Sequence, residues 1–417
     1  MSESYRNVRG MRDLLNKDSI KKQIIESAAR EVALRYGFEE INTPVVEYSS
    51  VFNKTLGESS DIVTKEMYNF EDEKGRSLTL RPEATAGIAR AIHSNGLLGL
   101  GEYRIPLKLF LIGPMFRYER PQKGRYRQFY QLNFEFFCDP CPESDVEIIS
   151  LAYNFLKKIE CPINLKINSL GDNKSRDNYK KELIPYLNKY KKELSTDSQN
   201  RLEKNPLRIL DTKNNNDLDI LSKAPKMIDF LSNESKKYYN ETKIILKNLG
   251  IKYEEDTNLV RGLDYYKETV FEFKTDKLGI QQDTILGGGR YSFEKETING
   301  IGWAAGIDRL IEIISYTKNN YPLASVVFNE ELKNEAIVLV NKLRNSNELN
   351  GYIEIIYKGN IEKKIKKASK LNSKFIIFVD EKQKVKISNK LNNKKPIIDI
   401  KNTDEIIKVL NVNWSKT

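Results

Sequence analysis

Four arginines and a lysine crowd into the run Phe116-Arg-Tyr-Glu-Arg-Pro-Gln-Lys-Gly-Arg-Tyr-Arg-Gln-Phe-Tyr-Gln-Leu-Asn-Phe-Glu135. Arginine offers a planar fork of donors that fits a phosphate bidentately, so this density points to phosphate chemistry rather than to simple solvation. In the same run Phe129 can stack on a base, and Gln131 and Glu135 supply polar contacts, which together favour a nucleotide site. Composition alone is also compatible with an ordinary hairpin whose charges face water.

The flanks tell how these groups are held. Leu107 to Tyr118 is largely apolar, and Gln128 to Phe137 alternates, so both read as strands. A period of two puts Phe129, Gln131, Asn133 and Glu135 on one face. Pro121 and Gly124 mark a turn between them, giving a long antiparallel hairpin with Arg117, Arg120, Lys123, Arg125 and Arg127 around one opening.

Other segments must position partners for that hairpin. Ser19 to Gly37 predicts an amphipathic helix with Ile20, Ile24, Val32 and neighbouring alanines inward and Gly37 as its stop, followed by an extended Phe38 to Val46. Thr79 to Arg90 passes from strand to helix, with Glu83 and Thr85 at the junction, either as contacts for a ligand's ammonium group or as a helix cap. Arg261 to Phe273 reads as strand. Gly287-Gly-Gly-Arg-Tyr291 lacks the spacing and the Lys-Ser/Thr of a phosphate loop, so its glycines are expected mainly in turns. Gly302 to Gly306 feeds a helical repeat of Ile307, Leu310, Ile311 and Ile314, with Arg309 in its first turns.

A length of 417 residues suggests two to four domains, and 39% hydrophobic with 30% charged residues is an ordinary water-soluble composition. No apolar run approaches the roughly 20 residues that span a bilayer, and the N-terminus carries no secretory core, so a cytoplasmic protein is expected. Three cysteines fit a reducing compartment. Cys138-Asp-Pro-Cys141 with Cys161 could offer three thiolates, but no second C-x-x-C completes a zinc set, and no side-chain metal site is expected. The single histidine, His93, argues against hydrolase triads and histidine-metal clusters. The net charge is +11, and residues 325–417 hold 19 Lys/Arg against 11 Asp/Glu, a difference of 8 that points to a polyanion such as RNA. Runs like Lys213-Asn-Asn-Asn216 make a compositional drift toward Lys and Asn an alternative.

The hairpin resembles motif 2 of the class II aminoacyl-tRNA synthetases, in the wording found in histidyl-tRNA synthetases. Leu80-Arg-Pro-Glu-Ala-Thr-Ala86, Val260-Arg-Gly-Leu-Asp-Tyr-Tyr266 and Gly300-Ile-Gly-Trp-Ala-Ala-Gly-Ile-Asp-Arg309 extend the likeness over nearly the whole chain. The resemblance implies an α/β fold of α+β type: a class II antiparallel-sheet catalytic domain (1–171 and 251–320), a helical insertion (172–250) over the acceptor stem, and a C-terminal α/β anticodon-binding domain (321–417). Helix, extended segment and Pro44 resemble motif 1, which implies a homodimer.

It also implies ATP-dependent activation of L-histidine to histidyl-adenylate and transfer to the histidine tRNA. In that reading Arg117 and Arg261 are catalytic and flank the α-phosphate, and Arg309 holds the γ-phosphate. Phe129 stacks under adenine, Glu119 reads its amino group, and Arg125 and Tyr126 help hold ATP, with Mg2+ on the β- and γ-phosphates. Glu135 and Tyr266, with Tyr265 beside them, meet the imidazole; Glu83, Thr85 and Gln131 hold the ammonium group. Arg120 and Gln122 meet the tRNA acceptor end. Ala84, Asp308 and Asn133-Phe134 depart from the commoner family wording, which bears on rate more than on activity. The rival implied reading is a non-catalytic paralogue, such as the synthetase-like regulatory subunit of ATP phosphoribosyltransferase; the intact Arg117, Gln131, Arg261 and Arg309 set opposes it.

Overall fold

Six strands rich in buried apolar side chains build the central sheet of the N-terminal unit, Met1–Tyr316. The computed structural model describes residues 5–57, 60, 62–97, 106–262, 265–278, 283–293, 298–315, 321–389 and 396–411. The eight strands run in the order Glu39–Glu40, Leu107–Phe116, Gln128–Phe137, Ile298–Gly306, Thr284–Phe293, Tyr266–Lys274, Asn164–Ser169, Glu254–Glu255. The six inner strands pair antiparallel, and only the two short edge strands pair parallel. The expected antiparallel hairpin is present, in a register that runs from Leu107↔Phe137 to Phe116↔Gln128.

One face of this sheet is covered by helices Asn16–Tyr36 and Pro142–Lys158, with Phe134, Phe155 and Trp303 in the core between. The first helix ends where the sequence places its stop, with Gly37 left-handed at φ 71°. Its buried stripe is Ile25, Ala28, Ala29, Val32 and Ala33. Ile24, expected inward, is 40% exposed; the small alanines draw the helix close and rotate the stripe by one residue.

From Asn173 to Asn248 the chain is helical: Asn173–Lys189, Thr196–Lys204, Asn215–Ser222 and Asn233–Asn248, with two 3₁₀ turns between. Asp172 caps the first through Ser175 N at 2.7 Å and accepts from Ser232 Oγ at 2.8 Å, joining the starts of the first and last of these helices. The last of these helices buries Tyr239 and Leu246 in the main core.

The unit Thr317–Thr417 is an α/β layer. Strands Ile353–Ile355, Ala324–Phe328 and Phe375–Glu381 pair parallel, and Lys384–Asn389 and Ile397–Asp399 add antiparallel. Helices Lys333–Arg344, Ile361–Lys370 and Thr403–Asn411 pack on it. Lys364, on the inner side of the second helix, is 1% exposed and satisfied by Phe328 O at 3.0 Å and the Phe328 ring at 3.4 Å.

Candidate active site

The alternation of the Gln128–Phe137 strand carries Phe129, Gln131, Asn133 and Glu135 into one cavity, as the period of two predicts. At its floor Glu135 is 2% exposed. Its Oε1 accepts from Thr85 Oγ1 at 2.6 Å and its Oε2 from the Tyr291 hydroxyl at 2.6 Å. Burial nevertheless wins, pushing the Glu135 carboxyl up to about 8. Glu83, also buried, accepts from the backbone N–H groups of Thr85 at 2.8 Å and Ala86 at 2.7 Å, so it caps the Thr85–Ser94 helix while lining the same cavity. Its carboxyl too is raised by burial. Gln131 Oε1 and Asn133 Nδ2 are buried without a protein partner among the described residues. Orphan polar atoms of this kind cost about 1–3 kcal/mol each, which a ligand bringing complementary groups would recover.

Tyr265 and Tyr266 close one wall, with ring centroids 4.5 Å apart, and Tyr265 stands edge-on to Tyr291 at 5.6 Å. The backbone oxygen of Tyr266 accepts from Arg176 Nη1 at 2.8 Å, a tie from the helical stretch to the wall. Of the segment 260–266, Leu263 and Asp264 lie outside the described residues.

The other end of the cavity is cationic. Arg117, Arg125, Arg261 and Arg309 all line it. Arg117 Nε donates to Pro82 O at 2.9 Å, and its guanidinium lies 5.3 Å from the Phe129 centroid. Arg125 Nε is 3.1 Å from Glu119 Oε2. Arg309 Nη1 donates to Thr284 O at 2.5 Å. Burial, then the like charge of Arg125, push the Arg309 guanidinium below its ordinary value. Arg261 is paired with Glu272; burial works to lower its pKa, but that carboxylate holds it above the ordinary value.

The expected ring of five cations is not formed. Arg127 donates to Glu119 O at 3.2 Å and stacks on Tyr118 at 3.8 Å, Lys123 pairs with Glu312 at 3.3 Å, and Arg120 is exposed. The loop between Glu119 and Tyr126 folds through a Gln122↔Arg125 bridge with Gly124 at φ 71°, which turns alternate side chains away from the cavity. Gln122, with Arg120, sits exposed on that loop. A second correction concerns Gly287, Gly288 and Gly289, which lie mid-strand, not in turns. A Cβ on Gly287 would overlap the Arg261 guanidinium, and one on Gly288 the carbonyl of Gly302. Across the ladder a Cβ on Gly302 would overlap the Glu135 carboxylate. The missing carbons make room for the site.

Sequence reasoning missed Tyr291 and Glu272, whose contacts join strands distant along the chain. It also missed Arg12, which bonds Asp308 Oδ1 at 2.9 Å. The alternation of the Thr284–Phe293 strand beside the glycines was the one signal that could have flagged Tyr291. Among the described residues no group of three or more His, Cys, Asp or Glu could hold a metal ion. Cys138 is buried 3.9 Å from Arg290 Nη2, and burial pushes its thiol up.

An antiparallel sheet with a motif 2 hairpin, a strand-to-helix arginine at 309 and a small polar pocket between them is the architecture of the class II aminoacyl-tRNA synthetases. Residues 10–310 match the family described as histidyl-tRNA synthetase, and the chain belongs to that family. It is 46% identical over 384 residues to a histidine--tRNA ligase of Wolbachia pipientis subsp. Culex pipiens, covering 90% of this chain and 92% of that one. With the Rickettsia bellii enzyme of the same name it shares 42% over 421 residues, 98% of this chain and all of the other. The apo histidyl-tRNA synthetase of S. aureus superposes with a TM-score of 0.77 at 32% identity, over 97% of this chain and 99% of that structure.

Proposed function

We propose that this chain is a histidine--tRNA ligase: it activates L-histidine with ATP to histidyl-adenylate and transfers the histidyl group to the 3′ end of its tRNA. The observation that carries the reading is the buried Glu135, held by Thr85 and Tyr291 at the floor of a cavity whose other end is four arginines. A carboxylate there can accept an imidazole N–H, and the arginines can take a triphosphate.

Activation asks for no side-chain base, because the carboxylate of histidine is already the nucleophile toward the α-phosphorus. It displaces pyrophosphate as the P–O bond to the β-phosphate breaks. The protein supplies alignment and positive charge where charge builds. In this reading Arg117 and Arg261 grip the α-phosphate from two sides, Arg309 the γ-phosphate, and Phe129, Glu119, Arg125 and Tyr126 the adenosine side. Glu83, Thr85 and Gln131 hold the ammonium group, and Tyr265 and Tyr266 flank the ring. Glu119 and Glu272 are engaged by arginines. Magnesium would enter with ATP and would supply positive charge to its phosphates, with the arginines supplying the rest.

Exposed Arg120 and Gln122 reach the tRNA acceptor end, the stretch 172–250 lies over the acceptor stem, and 321–417, with its surplus of basic residues, reads the anticodon. The protein works as a homodimer in the cytoplasm; exposed Leu34 on the first helix and exposed Val46 and Tyr48 on the short strand Val46–Tyr48 support a subunit contact there. No helix among the described residues is long and apolar enough to cross a membrane.

Exchange of labelled pyrophosphate into ATP, run with each amino acid and without tRNA, tests the reading. Exchange with histidine alone is expected. Histidine binding without exchange would overturn the ligase assignment in favour of a regulatory paralogue.

A further inference from the structure

We infer that Arg12 is a positioning residue for ATP, fixing the distance between the two ends of the nucleotide site. This rests on the reading above and goes beyond it, since Arg12 does not line the cavity. Three observations converge on it. Its Nη2 donates to Asp308 Oδ1 at 2.9 Å, one residue before Arg309. The other oxygen of Asp308 accepts from the backbone N of Tyr130 at 2.7 Å, one residue after Phe129. The Arg12 guanidinium also lies 4.3 Å from the centroid of Tyr126, in the hairpin loop. One guanidinium and one carboxylate therefore tie together the base-stacking strand, the loop and the helix that presents the phosphate arginine.

The segment around Arg12 is shaped for this task. Gly10 O accepts from Arg127 N at 2.8 Å, and Gly10 itself is left-handed at φ 85°. A Cβ there would come within 2.8 Å of Arg127 Cγ and 2.9 Å of Pro121. Behind Arg12, Lys21 Nζ donates to Ile311 O at 2.7 Å, and Arg12 Nη1 meets Asp18 at 3.2 Å, so the segment is anchored to its own helix and to the Arg309 helix. Arg125 and Arg117 act on Arg309 as like charges that Glu119 partly offsets. Lys123 also links the loop to Glu312 at 3.3 Å, but from an exposed position, whereas the Arg12–Asp308 link is the more buried of the two. Asp308 alone cannot hold the loop, because its bond is to the strand; Arg12 extends the tie to Tyr126.

The consequence separates two substrates. Loss of Arg12 lets Arg309 and the loop move relative to Phe129, whereas the pocket of Glu135, Thr85 and Tyr291 is untouched. Misplacement of about 1 Å costs on the order of 100-fold in a positioned reaction, so a 10-fold or larger effect is expected. Equilibrium dialysis with ATP and, separately, with histidine is run on the full chain, wild type against R12A, R12K and D308N, with pyrophosphate exchange alongside. The expected result is a rise of at least 10-fold in the ATP Kd and in the KM for ATP and pyrophosphate for R12A. The histidine Kd should stay within twofold, and R12K should be intermediate because it keeps the charge and loses the fork. D308N should resemble R12A, and the double variant should be no worse than the worse single. Unchanged ATP affinity, or equal losses for ATP and histidine, would overturn the inference. Should R12A not fold, R12K and D308N carry the same comparison. Absence of exchange in the wild type would sink the ligase reading instead, while ATP dialysis still decides the role of Arg12.

Discussion

Tyr291 donates its hydroxyl to Glu135 Oε2 at 2.6 Å from a strand two places away in the sheet, with the glycine-rich Ile298–Gly306 strand between them. The intervening glycine, Gly302, is what lets that bond form across a neighbour. Tyr291→Phe removes one donor from a buried carboxyl group and frees the carboxylate to tilt. A loss of about 1–2 kcal/mol, or roughly 10-fold in the KM for histidine, is expected with the KM for ATP unchanged. Pyrophosphate exchange at varied histidine checks it.

Gly302→Ala asks more of the same place. Its methyl would fall on the Glu135 carboxylate and 2.6 Å from the Phe134 carbonyl of the neighbouring strand, so histidine binding should be lost, with a lower melting temperature, in a protein that still binds ATP. Parallel dialysis with the two ligands measures this; retained histidine affinity would contradict the packing described.

The elevated carboxyl of Glu135 makes histidine binding pH-dependent. With the free protein titrating at about 8, Glu135 is mostly protonated at pH 7, and an imidazole N–H pointed at it favours the carboxylate. Binding should therefore release up to about one proton at pH 7, and E135Q should release none through this group, read by calorimetry in buffers of different ionisation enthalpy. The sign for stability is opposite to that of a paired surface acid. From about pH 4.5 to 8 the folded chain keeps a proton that the unfolded chain has given up, so this group makes stability fall as pH rises, levelling off above 8. Urea midpoints of E135Q should lack that slope.

Arg261 and Glu272 form a part-buried pair, so Arg261→Ala removes a phosphate contact and leaves Glu272 with Thr284 Oγ1 at 2.8 Å and Lys274 at 3.7 Å as partners in place of its guanidinium. The adenylation rate should drop on the order of 100- to 1,000-fold, and the melting temperature should fall too. Adding Glu272→Gln should recover the melting temperature and none of the rate. Recovery of both would remove Arg261 from the chemistry.

Arg290 and Asp145, both fully buried, meet at 2.5 Å with Ser144 Oγ also at 2.5 Å from the guanidinium. Breaking such a pair from one side costs about 3–5 kcal/mol, so Arg290→Ala should lower the urea midpoint sharply.

The long hairpin, the first helix and the strand-to-helix passage at Gly306 were legible in the sequence because each repeats one local period over many residues. What stayed hidden was made by contacts across the sheet. Three consecutive glycines look like a turn when read locally; only the neighbouring strands reveal that Arg261 and Gly302 need the space. Likewise Phe129, Gln131 and Glu135 reach the cavity through strand alternation, whereas Arg127 and Lys123 are diverted by partners, the Glu119 carbonyl and Glu312, that no spacing rule encodes. Arg12 and Asp308 lie 296 positions apart, and no periodicity links them.

The solitary His93 sits exposed in the last turn of the Thr85–Ser94 helix. A magnetic resonance experiment in which both the protein and the added histidine carry labelled imidazole therefore meets a nearly silent background. The protein contributes a single surface ring, and every other imidazole line reports the amino acid free, seated in its pocket, or joined to adenylate. Few catalysts let their own substrate be watched with so little interference from the catalyst itself.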